Sequence, residues 1–134
     1  TKEYSNFILS TNLNYTYQNA RDMTQVGSPT YKHQIPYIPF ESISSMSAVS
    51  YKKVVLAHTF VFNGHCFVFG ENSYENMLPA WRTNDITLSY SVPLRKKLLT
   101  IKAEVSNIFN QQYEIIRNFP MQGRFFGLNI SIKI

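Results

Sequence analysis

The side chains best suited to hold a transition metal in this 134-residue chain are His33, His58, His65 and Cys66. Zinc sites draw their ligands from Cys and His pairs a few residues apart. Here His58 and His65 stand seven positions apart across a glycine, and His33 is remote from both. The expectation is no metal, with the histidines on a surface or at an interfacial girdle. One cysteine also excludes an intrachain disulfide. Ser, His and Asp all occur, but without Gly-x-Ser-x-Gly or a comparable nucleophile arrangement. No carboxylate pair has neighbours that would tune it for acid–base work, and there is no glycine-rich phosphate loop. Neither an enzyme nor a cofactor is expected.

What remains is binding chemistry. Arg82, Arg117 and Arg124 fall in or beside irregular segments, and a guanidinium pairs with carboxylate or phosphate in bidentate fashion. They are candidates for an anionic ligand such as a carboxylate or a phosphate. The plainer role is anchoring loops by ion pairs with Glu75, Asp85 or Glu114. Trp81, with Tyr15, Tyr17, Tyr51 and Tyr90, could stack a ligand; positions near strand ends favour an aromatic girdle at membrane interfaces instead. Trp81, Arg82, Arg117 and Arg124 are therefore the candidate ligand-binding residues. Net charge is +5, but the basic residues are scattered or in short runs such as Lys52-Lys53 and Arg95-Lys96-Lys97, which reads as solvated turns rather than a nucleic-acid stripe.

The elements that must hold these residues alternate with a period of two. In residues 124–134, Phe126, Leu128, Ile130, Ile132 and Ile134 share one parity and Gly127, Asn129, Ser131 and Lys133 the other. Similar alternation predicts strands over 6–18, 54–62, 81–92 and 99–106, with a weaker one over 42–51. The 54–62 strand is expected to continue past Gly64 to Phe69 through a bulge. Residues 19–41, 70–80 and 111–123 read as long loops, Lys52-Lys53 as a short connection, and 93–97 as a turn. Asn107 and Asn110 break the strand phase and read as a bulge or the start of a loop.

Six strands thus alternate long and short connections, as in antiparallel outer-membrane barrels with extended outer loops and tight periplasmic turns. Aromatics are 15% and charged residues 16% of the chain, against roughly 25% charged in ordinary soluble domains. The polar parity carries Lys102, Glu104 and Lys133, which a narrow, side-chain-filled barrel could bury only at a cost of several kcal/mol for each unpaired charge. The strands therefore read as an arc of a larger, wetter barrel. Thr1 opens directly into strand-like sequence with no start methionine, so a fragment or processed chain is expected.

Particular stretches carry a family resemblance. Glu104-Val-Ser-Asn-Ile-Phe-Asn-Gln-Gln-Tyr113 resembles the motif near the end of TonB-dependent outer-membrane receptors. Glu114-Ile-Ile-Arg-Asn-Phe-Pro-Met-Gln-Gly-Arg124 is similar to the loop that follows it, with Gln122 where a second Pro is common. Leu78 to Tyr90 and Asn14 to Asp22 resemble the family too, in a form closest to Bacteroides-group receptors. Ile134 departs from the terminal aromatic of the family. The resemblance implies an all-β fold in which residues 1–134, a single partial domain, form about six antiparallel transmembrane strands of a 22-stranded plugged barrel. It implies location in the outer membrane of a Gram-negative bacterium. It further implies active uptake of a scarce nutrient such as an iron–siderophore, haem, cobalamin or a glycan. The implied partners are the remaining barrel and plug, from the same native chain or a separate polypeptide, the TonB complex through that missing part, and outer-membrane lipid or lipopolysaccharide. No nucleic acid is expected. The alternatives are a soluble β-barrel or sandwich holding a small apolar ligand, and a passive outer-membrane pore.

Overall fold

A computed structural model describes residues 7–95 and 97–133. Asn6, Lys96 and Ile134, which the alternation assigns to a strand, a turn and a strand end, lie outside the described residues. In chain order the elements are β1 (Phe7–Tyr17), β2 (Glu41–Tyr51), β3 (Val54–Asn63), β4 (Cys66–Phe67), a 3₁₀ turn (Tyr74–Asn76), β5 (Met77–Leu78), β6 (Trp81–Leu94), β7 (Lys97–Ser106), β8 (Glu114–Ile116), β9 (Phe119–Pro120) and β10 (Phe125–Lys133). Six of them form one sheet in the order β1-β2-β3-β6-β7-β10, antiparallel throughout. The sheet is open, with β1 and β10 as its edges.

The register carries the alternation of each strand into rows that cross the whole sheet. Leu9, Val49, Leu56, Leu88, Ala103 and Leu128 form one such row. A slip of one residue in any strand would turn its apolar set to the other face. The opposite face presents rows of small and polar residues, such as Ser10, Ala48, Ala57, Thr87, Glu104 and Gly127.

Burial runs opposite to that of a soluble sheet. Along β6, Ile86, Leu88 and Tyr90 are exposed while Asp85, Thr87 and Ser89 between them are half-buried. Leu13 is 68% and Leu128 71% exposed; the buried hydrophobics among the described residues are Val68 and Leu78, at 7% and 5%, and both lie in a loop. The sheet is a single layer with no core of its own. On the polar face Lys102 and Glu104 are paired, with Lys102 Nζ 2.8 Å from Glu104 Oε2. Gly127 sits beneath that pair, where a Cβ would come within 2.8 Å of Glu104 Cγ.

The apolar face slips across the sheet. On β1 the outward apolar run from Phe7 to Tyr17 centres on Asn12. On β10 the run from Phe126 to Ile132 centres on Asn129, which is level with Ile8. Four residues of slip over five strand spacings is about 13 Å against about 24 Å, so the strands tilt by roughly 30° to the normal of the apolar band. Outward Tyr15 and Tyr17 bound the band on the loop side, and Tyr51 and Tyr90, in one row with Phe7, bound it on the turn side.

Three expectations need correcting. β3 does not run on to Phe69: it ends at Asn63, because Gly64 N turns to donate to Glu41 O at 2.9 Å. Cys66–Phe67 instead pairs with Met77–Leu78 in a small ribbon of its own. Pro93 is not in the turn but inside β6, opposite Leu98, so the strand runs on to Leu94. Nor is the third connection loop throughout, since it contains the β8–β9 hairpin.

Asn107 is the pivot between β7 and the third loop. It is 4% exposed and takes φ 49°, a left-handed conformation that Asn tolerates better than most residues. Its backbone N–H donates to Asp85 Oδ1 at 2.7 Å; its side-chain amide donates to the carbonyls of Gln111 and Gln122 and accepts from Gln111 N. Asn107→Ala should cost about 2–4 kcal/mol in chemical denaturation of the full-length protein, because buried backbone groups lose their partners. Asn107→Asp should cost as much, since it removes the donor and brings a second carboxylate to Asp85. Asn118→Gly, at φ 67° on an exposed hairpin tip, should change stability by less than about 0.5 kcal/mol; an equal loss there would refute this assignment.

Candidate functional site

All three long connections emerge at one end of the sheet and are tied to each other. Gln34, 2% exposed, is held by the side chain of Asn72, whose Oδ1 accepts from Gln34 N and whose Nδ2 donates to Gln34 O at 3.1 Å. An amide side chain thus stands in for a strand neighbour, joining the first loop to the second. Tyr37 N donates to Phe67 O at 2.7 Å, and His33 Nδ1 lies 3.1 Å from Gly70 O. The third loop joins through Arg117, which donates to the backbone carbonyl of Glu75. Asn110 Oδ1 accepts from Arg124 N at 2.9 Å and lies where Gly123 leaves room; a Cβ there would be 2.6 Å away.

Between these loops and the top of the sheet is a cavity of about 300 Å³, lined among others by Tyr37, Pro39, Cys66, Leu78, Trp81 and Ile115. Trp81 stacks on Tyr113 with ring centroids 4.5 Å apart and planes at 27°. His65 lies between Phe40 and Phe67, at 5.7 and 5.9 Å. A largely apolar hollow with aromatic walls and few polar groups can take a flat or greasy part of a ligand. Burial pushes the Cys66 thiol up from its ordinary value. Burial, and then the charge of Asp85, do the same to the Tyr113 hydroxyl. The Cys66 thiol therefore stays protonated at neutral pH, and the acidic side chain in the lining is Glu114.

The four residues singled out from the sequence are not brought to one place. Trp81 lies on the inner parity of β6 and lines the cavity, so it is not part of the outward girdle. Arg82, its neighbour, falls on the outward parity in the row of Tyr15, Ile43 and Phe62, and its backbone N–H donates to Gln111 Oε1. Arg117 braces two loops, and Arg124 is placed by its backbone. The expected carboxylate partners are otherwise engaged: Asp85 with Asn107 N, Glu114 with Asn118 N at 2.9 Å, while Glu75 offers a backbone carbonyl. Tyr37 and Leu78 were missed as cavity residues because neither sits in a periodic pattern. The stretch Phe40, His65 and Phe67, aromatic and bracketed by Pro and Gly, is the signal that was available. Among the described residues no three His, Cys, Asp or Glu side chains gather as a metal site.

The fold has solved counterparts. The ferric preacinetobactin receptor BauA of Acinetobacter baumannii superposes with a TM-score of 0.72 at 14% identity, over 91% of this chain and 19% of that one. This chain therefore spans about a fifth of that receptor's length, and the likeness is one of fold. No family model matches the sequence, and no curated protein does.

Two outcomes follow from the loop chemistry. Asp22 is held at about 2 rather than 3.8 by hydrogen bonds from the Thr24 side chain, the Thr30 hydroxyl and the Thr24 backbone N–H. A carboxyl with a lower pKa folded than unfolded stabilises above its unfolded value and loses that contribution as pH falls through the folded one. The protection of Thr24 N and Lys32 N against hydrogen exchange, relative to the intrinsic rate at each pH, should hold down to about pH 4 and fall toward pH 2; Asp22→Asn should abolish that step. Cys66, the sole cysteine, should react with maleimide slowly at pH 7 and faster above pH 9, because the thiolate is the nucleophile. Trp81→Ala should speed labelling severalfold by unroofing the cavity; an unchanged rate would remove Trp81 from its wall.

Proposed function

We propose that this chain is the closing six-stranded arc of a TonB-dependent outer-membrane receptor barrel, and that residues 1–134 act as one partial domain of it. The observation that carries this is the inverted sheet: a single antiparallel layer, apolar outward and polar inward, with both edges unpaired within the described residues. Burying a Leu- or Phe-sized side chain away from water is worth about 1.5–3 kcal/mol, and here such side chains line the exposed face by the row. A bilayer supplies that burial, and a closed barrel satisfies both edges. The tilt of the apolar band is near the 35–45° of membrane barrels. The overlay on BauA and the sequence motifs around Asn107 support the same reading. A soluble sandwich would need a second layer, and the described sheet has none against its apolar face.

On this reading the remaining barrel strands and the plug, on the same native chain or another polypeptide, complete the wall, and the plug engages TonB. The protein performs no chemistry on its cargo. It takes up a scarce nutrient, of which an iron–siderophore is the class supported by the likeness to a ferric preacinetobactin receptor. The loop cavity lined by Tyr37, Leu78 and Trp81 contributes one apolar contact of the outer vestibule.

The reading is tested by depth-resolved charge scanning of the full-length native protein. Leu88→Arg, outward near the middle of the band, should destabilise by about 2–4 kcal/mol in bilayers. Ser89→Arg, one residue on and inward, should cost less than about 1 kcal/mol, and both variants should be compared by unfolding from lipid. Equal penalties, or a protein found in the soluble fraction of cells, would sink the barrel reading.

A further inference from the structure

Resting on the membrane reading, we infer that the outward side of the loop end carries a seat for a phosphorylated lipid headgroup of the outer leaflet. A cavity of about 400 Å³ opens there, lined by Phe60, Arg82, Asn84, Phe109 and Gln111. Phe60, Arg82 and Asn84 all have the outward parity of their strands, level with or beside Tyr15 and Leu13. The site is therefore on the wall, not in the vestibule, on the face opposite Trp81.

Its depth follows from β6 itself. The outward apolar run on that strand ends at Ile86; Asn84 and then Arg82 come next toward the loops. Arg82 stands four residues beyond Ile86, about 13 Å along the strand, where hydrocarbon gives way to headgroups. Phe109, 74% exposed, and Phe60 provide apolar walls against which a glycolipid or the first acyl carbons can lie.

The polar lining is set up to donate. Asn84 Oδ1 is engaged 3.0 Å from His58 Nε2, and Gln111 Oε1 accepts from Arg82 N at 3.2 Å. With both amide oxygens engaged, the groups left to a ligand are the two amide NH₂ groups and the Arg82 guanidinium. A planar fork of N–H donors flanked by neutral donors matches a phosphate monoester. The acid on this face at the same end, Glu41, is on β2 opposite Tyr17, with Phe62 of β3 between its strand and Arg82.

The test uses the full-length native protein in phosphatidylcholine nanodiscs containing a small fraction of lipid A, with retained lipids counted by native mass spectrometry. Wild type should retain bisphosphorylated lipid A roughly tenfold more than R82Q, the scale of one charge-assisted contact, while R117Q should match wild type. R82K should fall between, because an ammonium keeps the charge and loses the fork. Dephosphorylated lipid A should not distinguish wild type from R82Q. Heat-modifiable migration reports insertion separately: a protein that does not insert overturns both the barrel and the lipid seat. An inserted R82Q that retains lipid A like wild type overturns the seat alone. Displacement of the lipid by millimolar inorganic phosphate would also overturn it, by showing a small-anion site. If R82Q fails to insert, Phe109→Ser tests the same cavity from the loop, with a severalfold loss expected and an unchanged count counting against the seat.

Discussion

Every other feature of this molecule follows from a sheet that cannot stabilise itself. In a soluble β domain the apolar faces of two layers cover each other. Here one layer holds the chain together through its ladders, and its apolar rows meet nothing within the described residues. The edges β1 and β10 keep unpaired N–H and C=O groups along most of their length, a pairing hazard in water and a cost of several kcal/mol per group in hydrocarbon. On the proposed reading two demands are met at once, a non-aqueous surround and a strand on each edge. A lipid-embedded barrel completed by further strands meets both demands. A surface that merely covered the apolar face would leave the edges open.

The inner face shows why such a wall tolerates polar residues. Its rows are dominated by Ser, Thr, Ala, Gly and Asn, which are small enough to leave room for a plug or water. Lys102 and Glu104 form an ion pair within that face. Gly127 supplies the space for that pair, since a side chain there would collide with Glu104. The loops, by contrast, are fastened by amide side chains: Asn72 on Gln34, Asn107 on the third loop, Asn110 on Arg124. Such contacts hold backbone in place without needing a hydrophobic core, which suits segments with few apolar residues to bury.

Much of the sheet was legible because period-two patterning is local and repeated. β1, β6, β7 and β10 follow their alternation within one or two residues, and even β2, whose pattern is diluted by Ser44, Ser45 and Ser47, pairs where expected. What misled was punctuation. Pro93 reads as a turn, yet it stands at the last positions of a strand, opposite Leu98. Gly64 reads as a bulge, yet it ends β3, because its N–H is taken by Glu41 O. The site was less legible. Trp81 and Arg82 are adjacent in sequence and belong to opposite faces, a consequence of strand geometry that composition does not reveal. The cavity wall of Tyr37, Leu78 and Ile115 comes from three loops, and such contacts over long sequence separation leave no periodic trace.

The outward face is not uniformly apolar, and its exceptions are instructive. Thr11, Ser47 and His58 form part of one row in the middle of the band. In hydrocarbon an unpaired hydroxyl or imidazole N–H would carry a desolvation cost. Each of these has its partner on the same face: Thr11 Oγ1 lies 3.3 Å from Ser47 Oγ, and His58 Nε2 lies 3.0 Å from Asn84 Oδ1. The polar groups are therefore paired sideways across the strands rather than left to the surround. The pairing of His58 with Asn84 also links the middle of the band to its rim, where Asn84 and Arg82 take over from Ile86. The change from apolar to polar along β6 is thus built into the hydrogen bonding of the sheet, and on the proposed reading it sets the level at which the wall would leave the bilayer.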